Sequence, residues 1–257
     1  MTGSPPATRG PNVLEPRRQH RPAVARTNGA PGHRLLFDLD PSLGAGLDER
    51  LCAGVASRLV VPTEAVAQGD RIDFPAARDA VAVMVVAGAL ALRSQVPGGR
   101  NLEILPPGSF CRPGEDNPAS FVQSWIVALT ESRIAIIDRP TYARLSRFPA
   151  ITEEIISRLS QQGRAAHAQK AVDSQMGLER RVLLSLWHLA ERCGRTRYDG
   201  IEVPIPLTHE LFAEYLGAAR PSVTTTLQRL VNAGLITRTA NRGWLLRRDS
   251  LDRLLAE

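Results

Sequence analysis

The stretch AEYLGAARPSVTTTLQRL, residues 213–230, has helical periodicity on both sides of a glycine and a proline that sit four residues apart. Those two residues decide what the segment can become. Gly217 permits the left-handed backbone that closes a helix in a tight turn. Pro221, near the first position of a helix, loses nothing, because its missing N–H would have no intrahelical acceptor. The pair therefore delimits two helices. Thr208 is an N-cap for the first, HELFAEYL, with Glu210 in the first turn, where the helix dipole favours an anion. Phe212, Ala213 and Leu216 form its inner face. In the second helix Val223, Leu227, Leu230 and Val231 recur at i, i+4, i+7 and i+8 and face inward.

The opposite face of that second helix carries Arg220, Pro221, Ser222, Thr225, Gln228 and Arg229, with Thr224 on its flank and Thr226 turned toward the core. These are small residues or hydrogen bonders, not the Glu/Lys mixture of an idle solvent face. Small side chains let a helix sit deep in a major groove. Hydroxyls can bond phosphates, and Arg and Gln can read base edges. The segment LITRTANRGWLLRR follows as strand, turn and strand, a wing that places Arg238, Arg242, Arg247 and Arg248 near a DNA backbone together with Thr208 and Thr224. From Arg220 to Arg248 there are six arginines and no acid, an electrostatic footprint suited to phosphate. The spacing of alanine, glycine and valine through the turn is that of helix-turn-helix packing.

The rest of the chain sorts into segments. Residues 1–33 are rich in Pro, Gly and Arg without hydrophobic periodicity and read as a disordered basic tail; six arginines face the single Glu15 over residues 1–34. Residues 34–148 hold short Val/Ile-rich runs separated by turn signals such as AQGD, QVPGG and PPGS, which predicts an antiparallel roll. LDERLCAGVASRL reads as a short amphipathic helix ahead of them. Residues 149–176 form a long helix whose Ile151, Ile155, Leu159, Gln162 and Ala166 make a dimerisation seam. Residues 177–257 open with GLERRVLLSLWHLAERCG, whose stripe of Val182, Leu183, Leu186, Leu189 and Ala190 is wide, with His188 packed beside it and Gly194 as its stop. The fold class is α+β: an N-terminal antiparallel β-roll (a cupin-like jelly roll), a long dimerisation helix and a C-terminal winged helix-turn-helix.

Composition excludes several classes. No run of about 18 apolar residues is present and no signal pattern opens the chain, so the protein reads as soluble and cytoplasmic, with no membrane partner. Cys52, Cys111 and Cys193 lie far apart, which argues against a disulfide framework or a four-cysteine metal site. No catalytic residue, metal or cofactor is assigned, and the chain is not expected to be an enzyme.

On these motifs the chain resembles the Crp/Fnr superfamily of transcription regulators over about residues 35–250. The resemblance is most specific in PLTHELFAEYLGAARPSVTTTLQRLVNAGLI and LLSLWHLAERCG, and looser in LEILPPGSFCR and WIVALTESRIAIID. It implies a homodimer on near-palindromic double-stranded DNA, with RNA polymerase as a further partner, and it implies DNA contacts from Arg220, Ser222, Thr225 and Gln228. Cyclic-AMP-type members have Arg-Glu and a second base-reading Arg where this chain has Arg220-Pro221 and Thr225, so the usual half-site does not transfer. In the roll, Val122 stands where nucleotide-binding members place the arginine that pairs the cyclic phosphate. No Arg or Lys occurs between Arg112 and Arg133, and Gly114-Glu115 does not restore the cassette. A buried cyclic phosphate would go unpaired, so the effector is an unknown small molecule other than cyclic AMP, or none. Two other readings remain: a metal-dependent cupin-like enzyme with an appended helical domain, against which stands a roll without histidine between His33 and His167, and a protein-interaction module.

Overall fold

The computed structural model describes residues 32–48, 59–72, 80–112 and 121–250, with Gly54 and Arg253. The tail over residues 1–31, Cys52, most of the helix expected at 47–59 and the Gly114-Glu115 pair lie outside the described residues.

Two antiparallel sheets make the N-terminal roll. Strand β1 (Gly32–Leu35) leads through the short helix α1 (Leu36–Leu39) and a 3-10 turn over Pro41–Gly44. The strands β2 (Val60–Val66), β3 (Arg71–Ile72), β4 (Ala80–Ala87), β5 (Leu90–Val96), β6 (Gly99–Leu105), β7 (Phe110–Cys111), β8 (Gln123–Ala128) and β9 (Ser132–Asp138) follow. One sheet runs β1-β2-β9-β4-β7 and the other β3-β8-β5-β6. Gly32 and His33 correct the expected boundary of the tail. They pair with Thr63 and Pro62 of β2, giving that strand's outer edge a partner.

Side-chain alternation divides each central strand between two cores. In β4, Val83 and Val85 point between the sheets, where Leu90, Leu105, Ile126 and Ile134 join them. Met84 points the other way, onto Leu36, Phe37, Leu43 and Leu145. A strand buried on both faces reads as one continuous apolar run, and for that reason β5 does not stand out from β4 in the sequence. The break is at Gly88, with φ +82°, where a Cβ would come within 2.4 Å of the Glu131 carbonyl. No other residue fits that turn. Thr130 Oγ1 accepts from the Ala89 amide at 2.9 Å on its far side.

Helix α2 (Arg139–Leu145) starts at Asp138, whose carboxylate accepts from the Thr141 amide at 2.7 Å. Helix α3 (Pro149–Asp173) is 25 residues long, and α4 (Leu178–Cys193) folds back along it. Among the described residues no helix is long and apolar enough to cross a membrane.

The structure divides the seam expected on α3. Ile151 is fully buried in its own protomer, Ile155 packs beside it, and Gln162 donates to Glu103 of β6 at 3.3 Å. Full burial takes Ile151 out of any outward seam, a correction to its assignment as a dimer contact, while the half-buried Ile155 and Gln162 reach toward the roll on the same line. Leu159 is 48% exposed, as is its neighbour Ile156 at 57%, while Ala166 is half-buried. At 100° per residue, 151, 155 and 162 share one line while 156, 159 and 163 lie roughly 80–140° around the helix. The apolar residues span both lines, and the chain's own core takes the first.

The C-terminal head contains β10 (Arg195–Thr196), β11 (Gly200–Val203), α5 (His209–Leu216), α6 (Arg220–Asn232), β12 (Ile236–Arg238) and β13 (Trp244–Arg247), with sheet order β10-β11-β13-β12. All five residues of the α4 stripe are buried here, with Phe212, Val223, Leu227 and Trp244. Ala89, Ala91, Leu102, Ile104 and Leu129 from the roll belong to the same cluster. Roll and head thus share one core.

Candidate nucleic-acid interface

The two helices of the head meet as the glycine and proline require. Thr208 Oγ1 accepts from the Leu211 amide at 3.1 Å, capping α5. At its other end Gly217 adopts φ 59°, ψ 35°. The Ala218 amide donates to the Ala213 carbonyl at 2.9 Å and the Gly217 amide to Glu214 at 3.2 Å, the paired bonds of a Schellman cap. A Cβ on Gly217 would meet nothing within 4 Å. The glycine is needed for its backbone angle alone.

Helix α6 begins at Arg220 with Pro221 in its first turn and buries Val223, Thr226, Leu227 and Leu230. Val231 is half-buried against the same core. Arg220, Pro221, Ser222, Thr224, Thr225, Gln228 and Arg229 are exposed. Positions 221, 225 and 228 make the centre of that face. The Thr225 hydroxyl donates to the Pro221 carbonyl at 3.1 Å, which turns its methyl and lone pairs outward. Gln228 Nε2 donates to Asn232 Oδ1 at 2.9 Å, holding the two amides in one orientation. The face thus offers ordered hydrogen-bonding groups and two guanidiniums, without a carboxylate.

The wing turn closes through Thr239, whose hydroxyl accepts from the Gly243 amide at 3.0 Å while its carbonyl accepts from Arg242 at 3.0 Å. Arg242 has φ 60°, and Arg242, Arg247 and Arg248 are exposed. Arg247 Nε lies 3.6 Å from an Asp249 oxygen. Arg238 differs from its neighbours. Its guanidinium donates to the Leu207 carbonyl at 2.8 Å and lies 4.5 Å above the Trp244 ring. Burial and then the nearby Arg242 lower its pKa. Arg238 therefore fixes the wing to the body of the head, whatever else it touches.

One residue of this surface escaped the sequence reading. His209, directly after the cap, bridges the helices: its Nδ1 lies 3.1 Å from Thr224 Oγ1. Its ring stacks on Trp244, with centroids 6.5 Å apart. The Thr-His pair at a helix start next to an arginine-rich face was the available signal.

In the roll, Val122 is half-buried just before β8. A cavity of about 590 Å³ opens where the Pro106–Ser109 turn, α3 and the end of α4 meet, and Asp40, Arg158, Gln162 and Arg192 line it. Arg158 donates to Asp40 at 2.5 Å and to Glu154 at 2.7 Å. His188 is half-buried; burial, then Arg192, lowers its pKa. Burial raises the thiols of Cys111 to about 12 and Cys193 to about 11, so both stay protonated at neutral pH.

A helix-turn-helix with a short capped first helix, an acid-free second helix and a β-wing defines a winged-helix DNA-binding head, here joined to a β-roll by a long helix. Residues 180–254 match the Crp-like helix-turn-helix domain. The whole architecture is similar in fold to several solved structures. A CooA mutant from Carboxydothermus hydrogenoformans matches with a TM-score of 0.60 and 17% identity, over 85% of this chain and 94% of that one. A cyclic nucleotide-binding domain containing protein from Listeria monocytogenes gives 0.63 and 17%, over 82% and 98%. A transcriptional regulator of the CRP/FNR family from Thermus thermophilus gives 0.54 and 22%, over 76% and 98%. No curated protein sequence matches significantly.

Proposed function

We propose that the protein is a transcription regulator acting in the cytoplasm that binds near-palindromic DNA as a homodimer. The observation that carries this reading is the exposed, acid-free face of α6 flanked by the wing arginines Arg242, Arg247 and Arg248. Two such helices one helical turn apart would enter successive major grooves. Arg220, Pro221, Ser222, Thr225, Gln228 and Arg229 would face base edges, and the wing and Thr224 the phosphates. The exposed Ile156 and Leu159 on α3 supply an apolar strip for the second copy. RNA polymerase is the further partner this class of regulator addresses.

The effector, if one exists, is not cyclic AMP. Val122 in place of a guanidinium leaves a cyclic phosphate without its counter-charge. A thermal-shift screen of small metabolites addresses this part separately.

Selection of bound fragments from random or genomic DNA, followed by mobility shifts at two salt concentrations, tests the central reading. Binding should weaken steeply with salt as arginines release counterions. Thr225→Ala should change sequence preference, whereas Arg247→Ala should weaken all sequences about equally. Salt-insensitive binding, or no selected sequence, would refute the proposal.

A further inference from the structure

His209 occupies an unusual electrostatic position. It sits at the start of α5, touches α6 through Thr224 and lies on Trp244 of the wing sheet. It therefore stands where both helices and the wing converge, beside the exposed flank of α6. The charged groups that act on it are Arg220 from α6 and Arg238 from β12, both cationic, while β13 contributes the uncharged Trp244. Burial first, then Arg238 and Arg220, hold the imidazole below its ordinary pKa. In the free protein at neutral pH it is uncharged.

We propose that His209 contacts a DNA phosphate beside the recognition helix and takes up a proton from solvent as it does so, making DNA binding proton-linked. The inference rests on the DNA-binding reading above and adds a residue and a regulating ion to it. Nδ1 is engaged by Thr224, and no hydrogen bond among the described residues occupies Nε2, which leaves that atom for a phosphate oxygen. The Thr224 hydroxyl can donate to Nδ1 of the ring's Nε2–H tautomer and can accept from Nδ1–H of the imidazolium. The ring can therefore gain charge without moving. A phosphate reverses the local field: it neutralises the influence of Arg220 and Arg238 and favours the charged ring. A group whose proton affinity rises on binding makes the complex tighter as pH falls through the window between its free and bound pKa values.

The test uses the full chain and a DNA fragment recovered by the selection described above. Anisotropy titrations at constant salt should show wild-type affinity rising by roughly three- to tenfold from pH 7.5 to 5.5. His209→Gln should bind more weakly at pH 5.5 and lose that part of the pH dependence. His209→Arg should bind tightly at both pH values with a flat profile. Imidazole resonances of His209 should titrate at a higher pH in the complex than in the free protein, which also decides the matter should the Gln variant fold poorly by near-ultraviolet circular dichroism. Parallel pH profiles for wild type and His209→Gln, or equal midpoints for free and bound His209, would overturn the proton linkage while leaving DNA binding intact. A wild type that binds no DNA at any pH would overturn both.

Discussion

Arg242 in the wing turn has a backbone angle suited to glycine and a side chain suited to phosphate, and replacing it with glycine separates the two. Its φ of 60° lies in the left-handed region, which costs a residue with a side chain about 1–2 kcal/mol. Glycine removes that strain but loses about 0.5–1 kcal/mol through its freer unfolded chain. Arg242→Gly should therefore stabilise the fold by about 0–1.5 kcal/mol, a Tm rise of up to about 6 °C for a chain of this size. It also removes the cation that, after burial, lowers the pKa of Arg238, an effect in the same direction. DNA binding should move the other way. If each protomer of a dimer loses one phosphate contact, the slope of log K against log salt becomes shallower by about 1.8. At 0.1 M salt that corresponds to a loss of up to about sixtyfold in affinity. Urea denaturation followed by circular dichroism and anisotropy titrations from 50 to 400 mM salt measure the two effects on one sample. Unchanged salt dependence would show that the wing does not meet the backbone. A loss of stability above 1 kcal/mol would show that the Arg242 side chain holds the turn.

Three further expectations follow from the same coordinates. Leu159→Glu on the exposed side of α3 should shift sedimentation toward monomer, whereas Ile151→Ala, on the buried side, should cost about 2–5 kcal/mol of folding stability and leave association of the folded chain unchanged. Asp40 is held below its ordinary pKa: burial opposes ionisation, but hydrogen bonds from Arg158 and Ser42 and the charge of Arg158 outweigh it. A depressed folded pKa contributes stability that is present above the unfolded value and lost as pH falls through the folded one; Asp40→Asn should reduce stability at pH 7 and flatten the acid limb below about pH 4 in denaturation curves. Arg93 and Glu214 join roll to head at 2.9 Å with side chains 29% and 21% exposed, and a double-mutant cycle should give a coupling of about 1 kcal/mol.

The head was the most legible part of the sequence because local chemistry dictates it. A threonine cap, an αL glycine and a first-turn proline each have one physical reading, and the structure places them so. The roll was legible as a class but not strand by strand, since β4 is apolar on both faces and its run continues past Gly88 into Leu90, Ala91 and Leu92 of β5 without alternation. On α3, Ile151 was placed on the wrong side for a related reason. Periodicity says that Ile151, Ile155 and Leu159 share a broad face, but not whether that face meets the chain's own roll or another copy. His209 was missed because its meaning depends on Trp244 and Arg238, which lie 35 and 29 residues further along the chain.

The shared core between roll and head constrains how any signal could reach α6. Helix α5 lies against β6, whose Leu102 and Ile104, with Ala91 of the neighbouring β5, join Phe212, Ala213 and Leu216 in one cluster. On its other side Tyr215 donates to Gln169 of α3 at 2.8 Å, and Gln169 donates in turn to Ser185 of α4 at 3.0 Å. Arg181 of α4 donates to the Leu216 carbonyl at the end of α5. The first helix of the pair is thus gripped by the roll, the long helix and α4 together, while α6 packs mainly on α4, α5 and β12. Sliding α5 would expose apolar surface at about 25 cal/mol per Å² and strand Glu214, Tyr215 and Gln169 away from their partners. A rearrangement of the roll or of α3 that keeps those partners must carry α5 with it. Because the Schellman turn at Gly217 joins α5 to α6 over three residues, the recognition helix would follow.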